Sequence, residues 1–407
     1  MNGSSETSGK APIYLDYNAT TPLDPVVIEE IHKSLVEDWG NPSSSHVLGR
    51  QAKAAIERSR IAIARMLNAS HEDIVFTSGG TEANNISLLS AIHSTTSADH
   101  SKPHVITSNV EHDSIALVLQ EQLKRGNIEL SLVEVDQNGK LHYDSVLSLI
   151  RDATCLISIM HANNESGIIM PIEEVGNKLL AINEERKRKG IRRIVFHCDA
   201  AQTIGKIEVD VKKLKVDMLT VVGHKFYAPR IGALYVKDLT NNEFPLRHIF
   251  QGGGQERGFR PGTENTPMIV GLGKAAELVY ENLKTYTETM QTMRNFLNVQ
   301  LQDGIPGVGI NFSTAAEKLP NTLSICLPEG LTAQTVLNEG CKDKLLASLG
   351  AACHSNTEKP SAILLASGLS PAEASRTIRL SVGRTTTVKE IEEAVKVLKK
   401  ACHGGDS

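Results

Sequence analysis

The apolar run Leu219-Thr-Val-Val ends in Gly223-His-Lys225, which delivers a lysine to the end of a buried strand. Desolvation or a neighbouring cation lowers the pKa of such an amine, and the free amine then condenses with a carbonyl. Upstream, Arg193-Ile-Val-Phe-His-Cys-Asp199 places an aspartate at the end of a second apolar run. Pyridoxal phosphate unites the two, because its carbonyl takes the amine and its pyridinium nitrogen needs an anion beside it to stay protonated and electron-withdrawing. A third run, Ile74-Val-Phe-Thr-Ser-Gly79-Gly80-Thr81, passes through two glycines into a helix expected from Ala83 to about His93. Such a junction cradles phosphate: backbone N–H groups approach an anion, the helix N-terminus adds partial positive charge, and Thr81 adds a hydroxyl. Singly, these are a surface lysine, an ordinary aspartate and a tight turn. In one order, they are chemically complementary.

The elements that must hold these residues alternate along the chain. Short apolar runs near 74–78, 104–108, 128–135, 154–160, 193–198, 218–222 and 232–236 are separated mostly by longer amphipathic stretches. That alternation predicts an α/β fold with a mostly parallel seven-stranded sheet wrapped by helices, whose ligand sits beyond the strand C-termini. Ahead of the sheet, Asp24-Pro25 opens a helix ending near Gly40, and Ile56, Ile63 and Leu67 share one face of a second that stops near Asn68. After Pro267 a long helical stretch from Met268 to about Leu301 leads into a smaller α+β region.

Composition excludes several classes. A chain of 407 residues with net charge −4 gives no reason to expect a nucleic-acid surface, and the basic run from Glu185 to Arg193 reads as a solvated helix end. No stretch approaches the roughly 18 apolar residues of a membrane span. The cysteines at 155, 198, 326, 341, 353 and 402 form no C-x-x-C pair, so neither a disulfide framework nor a metal site is expected. Residues 1–10 lack an apolar segment and an arginine, which points to a cytosolic protein. Gly252-Gly-Gly-Gln-Glu-Arg257 fails the G-x-G-x-x-G spacing of a dinucleotide site.

Over nearly its whole length the sequence resembles the NifS-like cysteine desulfurase and selenocysteine lyase family of fold-type-I pyridoxal-phosphate enzymes. The resemblance is carried by Tyr14-Leu-Asp-Tyr-Asn-Ala-Thr-Thr-Pro22, Gly40-Asn-Pro-Ser-Ser44, Thr77-Ser-Gly-Gly-Thr-Glu-Ala-Asn-Asn85, Val110-Glu-His112 and Asn163-Asn-Glu165. It continues through Asp199-Ala-Ala-Gln202, Gly223-His-Lys225, Arg260-Pro-Gly-Thr263 and Ile378-Arg-Leu-Ser-Val-Gly-Arg384. Val222-Gly-His-Lys-Phe-Tyr227 and Gly350-Ala-Ala-Cys-His-Ser355 are most similar to the eukaryotic selenocysteine lyase branch. The resemblance implies an N-terminal arm over 1–19 packed with the small domain, a large cofactor domain over 20–265 and a small domain over 266–407.

The resemblance also implies roles. Lys225 would hold the cofactor and then move the α-proton, with Asp199 on the ring nitrogen and His112 stacked on the opposite face. Gln202 and Asn164, or its neighbour Asn163, would meet the phenolic oxygen. Gly80, Thr81 and His224 would hold the phosphate, with Thr263 reaching the cofactor of a second subunit in a homodimer. Arg379, with Asn41 and Asn164, would bind the substrate α-carboxylate, and Cys353 would attack the chalcogen. The expected reaction frees reduced selenium from L-selenocysteine, leaving L-alanine, for an acceptor such as selenophosphate synthetase. Cysteine desulfurization is the nearest alternative, and a catalytically silent carrier the alternative outside enzymology. Val222 stands where many members carry a serine, removing one phosphate donor.

Overall fold

The expected runs become strands whose bounds shift by a few residues at most. In the computed structural model, residues 11–94, 102–241, 246–314, 317–349 and 360–403 are described. In chain order the strands are β1 (Ile13–Tyr14), β2 (Ile74–Thr77), β3 (His104–Ser108), β4 (Glu129–Val133), β5 (Thr154–Met160) and β6 (Val195–Asp199). There follow β7 (Met218–Val222), β8 (Gly232–Val236), β9 (Gly309–Ile310), β10 (Thr322–Cys326), β11 (Leu345–Leu346) and β12 (Thr377–Ser381).

Seven of them form one sheet in the order β2-β8-β7-β6-β5-β3-β4. Only β8 runs against its neighbours. Strands β2, β3 and β5 to β8 are buried at every residue, which is why they read as continuous apolar runs. Alternate residues face opposite cores: Ile74, Phe76, Ile106 and Phe196 on one side, Val75, Val105, Leu156 and Met218 on the other. Phe196 is fully buried, and truncating such a ring to alanine costs about 3–5 kcal/mol.

The flanking helices follow their local signals. Helix α1 (Pro25–Glu37) is capped by Asp24, whose Oδ1 accepts from the Val26 amide at 2.9 Å. Helix α2 (Val47–Leu67) ends where Asn68 turns left-handed at φ 56°. Helix α3 (Gly80–His93) starts at Gly80 rather than Ala83, because the Gly79 carbonyl already accepts from the Ala83 amide at 3.2 Å. Helix α4 (Asp113–Lys124) is capped by His112.

A separate core gathers Ile325, Ile378, Leu380 and Leu398 around β10 and β12, and the N-terminal residues Ile13 and Leu15 join it. Strand β1 pairs parallel with β11, and Asp16 bridges to Ser381 in β12. Residues 13–16 are thereby held against β11 and β12. One expectation is corrected here. Arg186, read as part of a solvated basic run, is buried, and its guanidinium donates to the carbonyls of Arg192, Arg151, Asp152 and Thr154 at 2.7–3.1 Å. Carbonyls at and ahead of the starts of β5 and β6 can accept a further hydrogen bond, and arginine supplies several donors. Among the described residues no helix is long and apolar enough to cross a membrane.

Candidate active site

Beyond the carboxyl ends of β2, β3, β5, β6 and β7 lies a cleft of about 250 Å³, open to solvent. Gly80, Thr81, His112, Asn164, Asp199 and Gln202 line it, as do His224, Lys225 and Arg379. Asn41 does not: it is exposed, and its Oδ1 accepts from the Ser43 amide at 2.9 Å, so within its own chain it builds the turn before α2. Thr263 is exposed and also outside the cleft of its own chain. Cys353 lies outside the described residues.

Lys225 is carried by a 3-10 turn that follows β7 directly. Gly223 permits that turn, since a Cβ there would sit 2.4 Å from the Pro229 carbonyl oxygen. Lys225 Nζ donates to the backbone oxygens of Asn18 and Ala19 at 2.7 and 2.8 Å, which holds the amine at the cleft.

Asp199 is buried and fully hydrogen-bonded. Its Oδ1 accepts from the Ala201 amide at 2.9 Å and its Oδ2 from Asn84 Nδ2 at 2.8 Å. An ionised carboxylate only accepts, so the NH₂ end of Asn84 faces it and Asn84 Oδ1 accepts from Thr220 Oγ1 at 2.6 Å. With its proton so committed, Thr220 accepts from His197 Nε2 at 3.1 Å, and Ser158 Oγ donates to His197 Nδ1 at 2.9 Å. His197 is neutral, because burial pushes its pKa down to about 4. On the other branch Asn84 Nδ2 donates to Ser114 Oγ at 2.8 Å, which donates to His112 Nδ1 at 2.8 Å. The Ser114 amide points at the same nitrogen, 3.1 Å away. His112 therefore carries its proton on Nε2, and one carboxylate sets the polarity of the whole chain.

Arg379, in β12, ion-pairs through Nη2 with Asp16 at 2.6 Å and donates from Nη1 to the Asn164 backbone oxygen at 2.9 Å. Its Nε has no hydrogen-bond partner, nor has Asn164 Oδ1, although both are buried. Asn163 is spent differently: its Oδ1 accepts from the Glu165 and Ser166 amides at 2.8 and 2.9 Å, and its Nδ2 donates to Val110. Of the two asparagines, Asn164 lines the cleft and Asn163 does not.

One end of the cleft is built from the α3 N-terminus. A Cβ on Gly80 would meet Val222 Cγ2 at 2.5 Å, so the glycine lets the helix start abut β7. His224 is neutral, burial and then Lys225 and Arg230 pushing it down to about 4, and its Nδ1 lies 3.1 Å from Thr20 Oγ1. Glu82, also at this helix start, accepts from the Ser78 amide and from Arg260 Nε, both at 2.8 Å, which ties the Arg260–Thr263 segment to the cradle.

Sequence reasoning missed Asn84, Thr220, Asn18 and Glu111. Glu111 accepts from Ser108 Oγ at 2.6 Å and the Met160 amide at 3.0 Å, and burial, helped by Asp199, pushes its pKa up to about 8. Asn84 had a legible signal: one helical turn into α3, it points back to the sheet that carries Asp199. Cys155 and Cys198 are buried core thiols, as expected, Cys155 pushed up to about 12 by burial.

These residues fit pyridoxal phosphate. An anion stands at one strand end and an amine at another, a helix N-terminus with a bare glycine lies beside them, and two buried polar atoms await a ligand. The comparisons agree. The chain is 44% identical to the rat protein named selenocysteine lyase, over 98% of this chain and 96% of that one. It is 39% identical to a Nostoc protein named cysteine desulfurase, covering 95% and 92% of the two chains. A solved structure titled NifS-like protein superposes with a TM-score of 0.84 at 32% identity, covering 96% of this chain and 98% of the other. Residues 13–394 match the family described as aminotransferase class-V, and with them this cleft does too: the chain belongs to that family of pyridoxal-phosphate-dependent enzymes.

Proposed function

We propose that this enzyme is a homodimeric lyase that converts L-selenocysteine to L-alanine and reduced selenium. The observation that carries the amino-acid chemistry is the single cleft that joins Lys225, Asp199 and a buried arginine with an unpartnered Nε. The selenium preference draws on relatives named selenocysteine lyase, from rat and cattle, 44% and 46% identical to this chain.

Bound in the cleft, the cofactor supplies a carbonyl for the substrate amine and a ring that withdraws electrons from Cα. Asp199, held at both oxygens, keeps a cation at the ring nitrogen. Gly80, Thr81 and neutral His224 would receive the phosphate. Lys225 Nζ would move the Cα proton. Arg379 Nε and Nη2 meet the carboxylate, and in doing so compete with Asp16 for Nη2. His112 offers its Nε2 proton on the cleft side. Overall the Cβ–Se bond breaks and Cβ gains a proton, so selenocysteine gives alanine and zero-valent selenium. Two electrons from a thiol reductant then release that selenium as selenide. A selenol is more acidic than a thiol of pKa about 8.5, so its selenolate forms without a general base.

Exposed Leu35, Val36, Trp39 and Val47 around the end of α1 and the start of α2 support the dimer, Trp39 being 68% exposed. Across that interface Asn41 and Thr263 would reach the partner's cleft. The distinct core around β10 and β12 supports a domain division near residue 265. A second reading, cysteine desulfurization, is favoured by the Nostoc relative. Alanine release from L-selenocysteine and L-cysteine under identical reducing conditions decides between them. The proposal expects at least about tenfold higher kcat/KM on selenocysteine, and equal or reversed values refute it.

A further inference from the structure

A second lysine lies behind the cleft, against Asn18 and Gln202, which line it. Lys206 is only 3% exposed, and its Nζ donates to Gln202 Oε1 at 2.9 Å and to Asn18 Oδ1 at 3.0 Å. Its charged neighbours, Lys225 and Arg379, are cations. Burial, and then those two cations, pushes its amine well below the ordinary lysine range. Lysine is among the residues least often buried without a paired charge, so ion pairing does not account for this one.

What Lys206 does is visible in its partners. Gln202 Nε2 donates to the Asn18 backbone oxygen at 3.0 Å, so the carbonyl end of that amide is the end that faces Lys206. Asn18 is oriented in the same way. Its Nδ2 donates to the Asn164 backbone oxygen at 3.3 Å and to Thr322 Oγ1 at 2.8 Å. Its Oδ1 accepts from both Lys206 and Asn321 Nδ2, the latter at 2.9 Å. An amide that could flip would present oxygen or nitrogen to the cleft with little difference in shape. A donor group fixed between two amide oxygens removes that freedom. One N–H of Gln202 is then committed to Asn18, and the other is turned to the cleft that Gln202 lines.

We propose that Lys206 is a positioning residue whose Nζ locks the Gln202 and Asn18 amides, so that Gln202 presents an N–H, and not its oxygen, to the ring oxygen of the cofactor. This rests on the reading that Gln202 meets that oxygen, and the test separates the two claims. Holoenzyme variants Lys206→Met, Gln202→Ala and the double variant are compared by the pH midpoint of the bound cofactor's visible absorbance and by pyridoxal phosphate affinity. Gln202→Ala is expected to shift the midpoint by roughly one unit and weaken binding about tenfold, the loss of one hydrogen bond to a charged oxygen. Lys206→Met should shift it in the same direction by a similar amount, and the double variant should match Gln202→Ala alone. Additive shifts, or a Lys206→Met midpoint equal to wild type, would overturn the proposal. No shift in Gln202→Ala would instead overturn the reading of Gln202. Should Lys206→Met fail to fold, Lys206→Gln, whose amide offers either end, is expected to give an intermediate shift, and a wild-type midpoint there is equally fatal.

Discussion

The two walls of the cleft are built on opposite plans. On the sheet side, Asp199, Asn84, Thr220, Ser114 and His112 form an unbroken chain, each hydrogen bond fixing the direction of the next. On the side reached by β12, Arg379 Nε and Asn164 Oδ1 are buried without partners, and Asp16 occupies part of a guanidinium that a carboxylate would claim. A network so linked resists reorganisation, which suits a cofactor that stays. Unspent hydrogen-bonding capacity suits a substrate that must be gripped and released at every turnover.

The contrast can be broken from either side. Asn84→Leu removes the branch point of the linked wall and strands Asp199 Oδ2, Thr220 and Ser114 together. We expect kcat to fall about 100-fold or more and stability to drop by about 2–4 kcal/mol, read by alanine release and urea unfolding. Activity within threefold of wild type would show that the network is ornamental. Arg379→Lys attacks the other wall, keeping the charge but losing the planar fork. KM should rise about 10- to 100-fold with kcat changed far less, and a kcat loss at unchanged KM would place Arg379 in the cofactor wall instead. Gly80→Ala pushes a methyl against Val222, weakening pyridoxal phosphate about tenfold, and Val222→Ala should restore most of the affinity if the steric account holds.

The smallest effect is a pH slope. Glu111 has a pKa raised from 4.5 to about 8, so between those values the folded protein holds a proton that the unfolded chain releases. Its contribution is fully present below pH 4.5 and is lost as pH rises towards 8, by at most about 1.4 kcal/mol per unit. Urea midpoints measured from pH 5 to 8 should fall in the wild type relative to Glu111→Gln. Parallel profiles would mean that Glu111 is ionised in the fold.

Part of the cleft was legible because strand ends announce themselves. Lys225, Asp199 and Thr81 each follow an apolar run, and the fold class follows from the same alternation. Arg379 was assigned only through its resemblance context, because an arginine inside an apolar strand does not reveal which way it points. Asn84, Thr220 and Lys206 were not assigned at all. Their importance is relational: a buried threonine or asparagine is explained only by what stands opposite it across a sheet, and β6 pairing Asp199 with Thr220 is a register no local pattern contains. Arg186 was misread for a related reason, since a run of like charges says nothing about which member turns inward.

The pairing of residues 13–16 with β11 and β12 also orders events during synthesis. Asn18 reaches Asn321 and Ser381, contacts spanning 303 and 363 positions of the chain. The sheet that carries Asp199 and Lys225 is complete in sequence once β8 has emerged, yet the segment whose carbonyls hold Lys225 must wait for β10 and β12 before it is anchored. Contacts of such long range form late. A nascent chain therefore acquires the floor of its cleft well before the roof, and competence to retain the cofactor should arrive as a single late step once β12 has emerged.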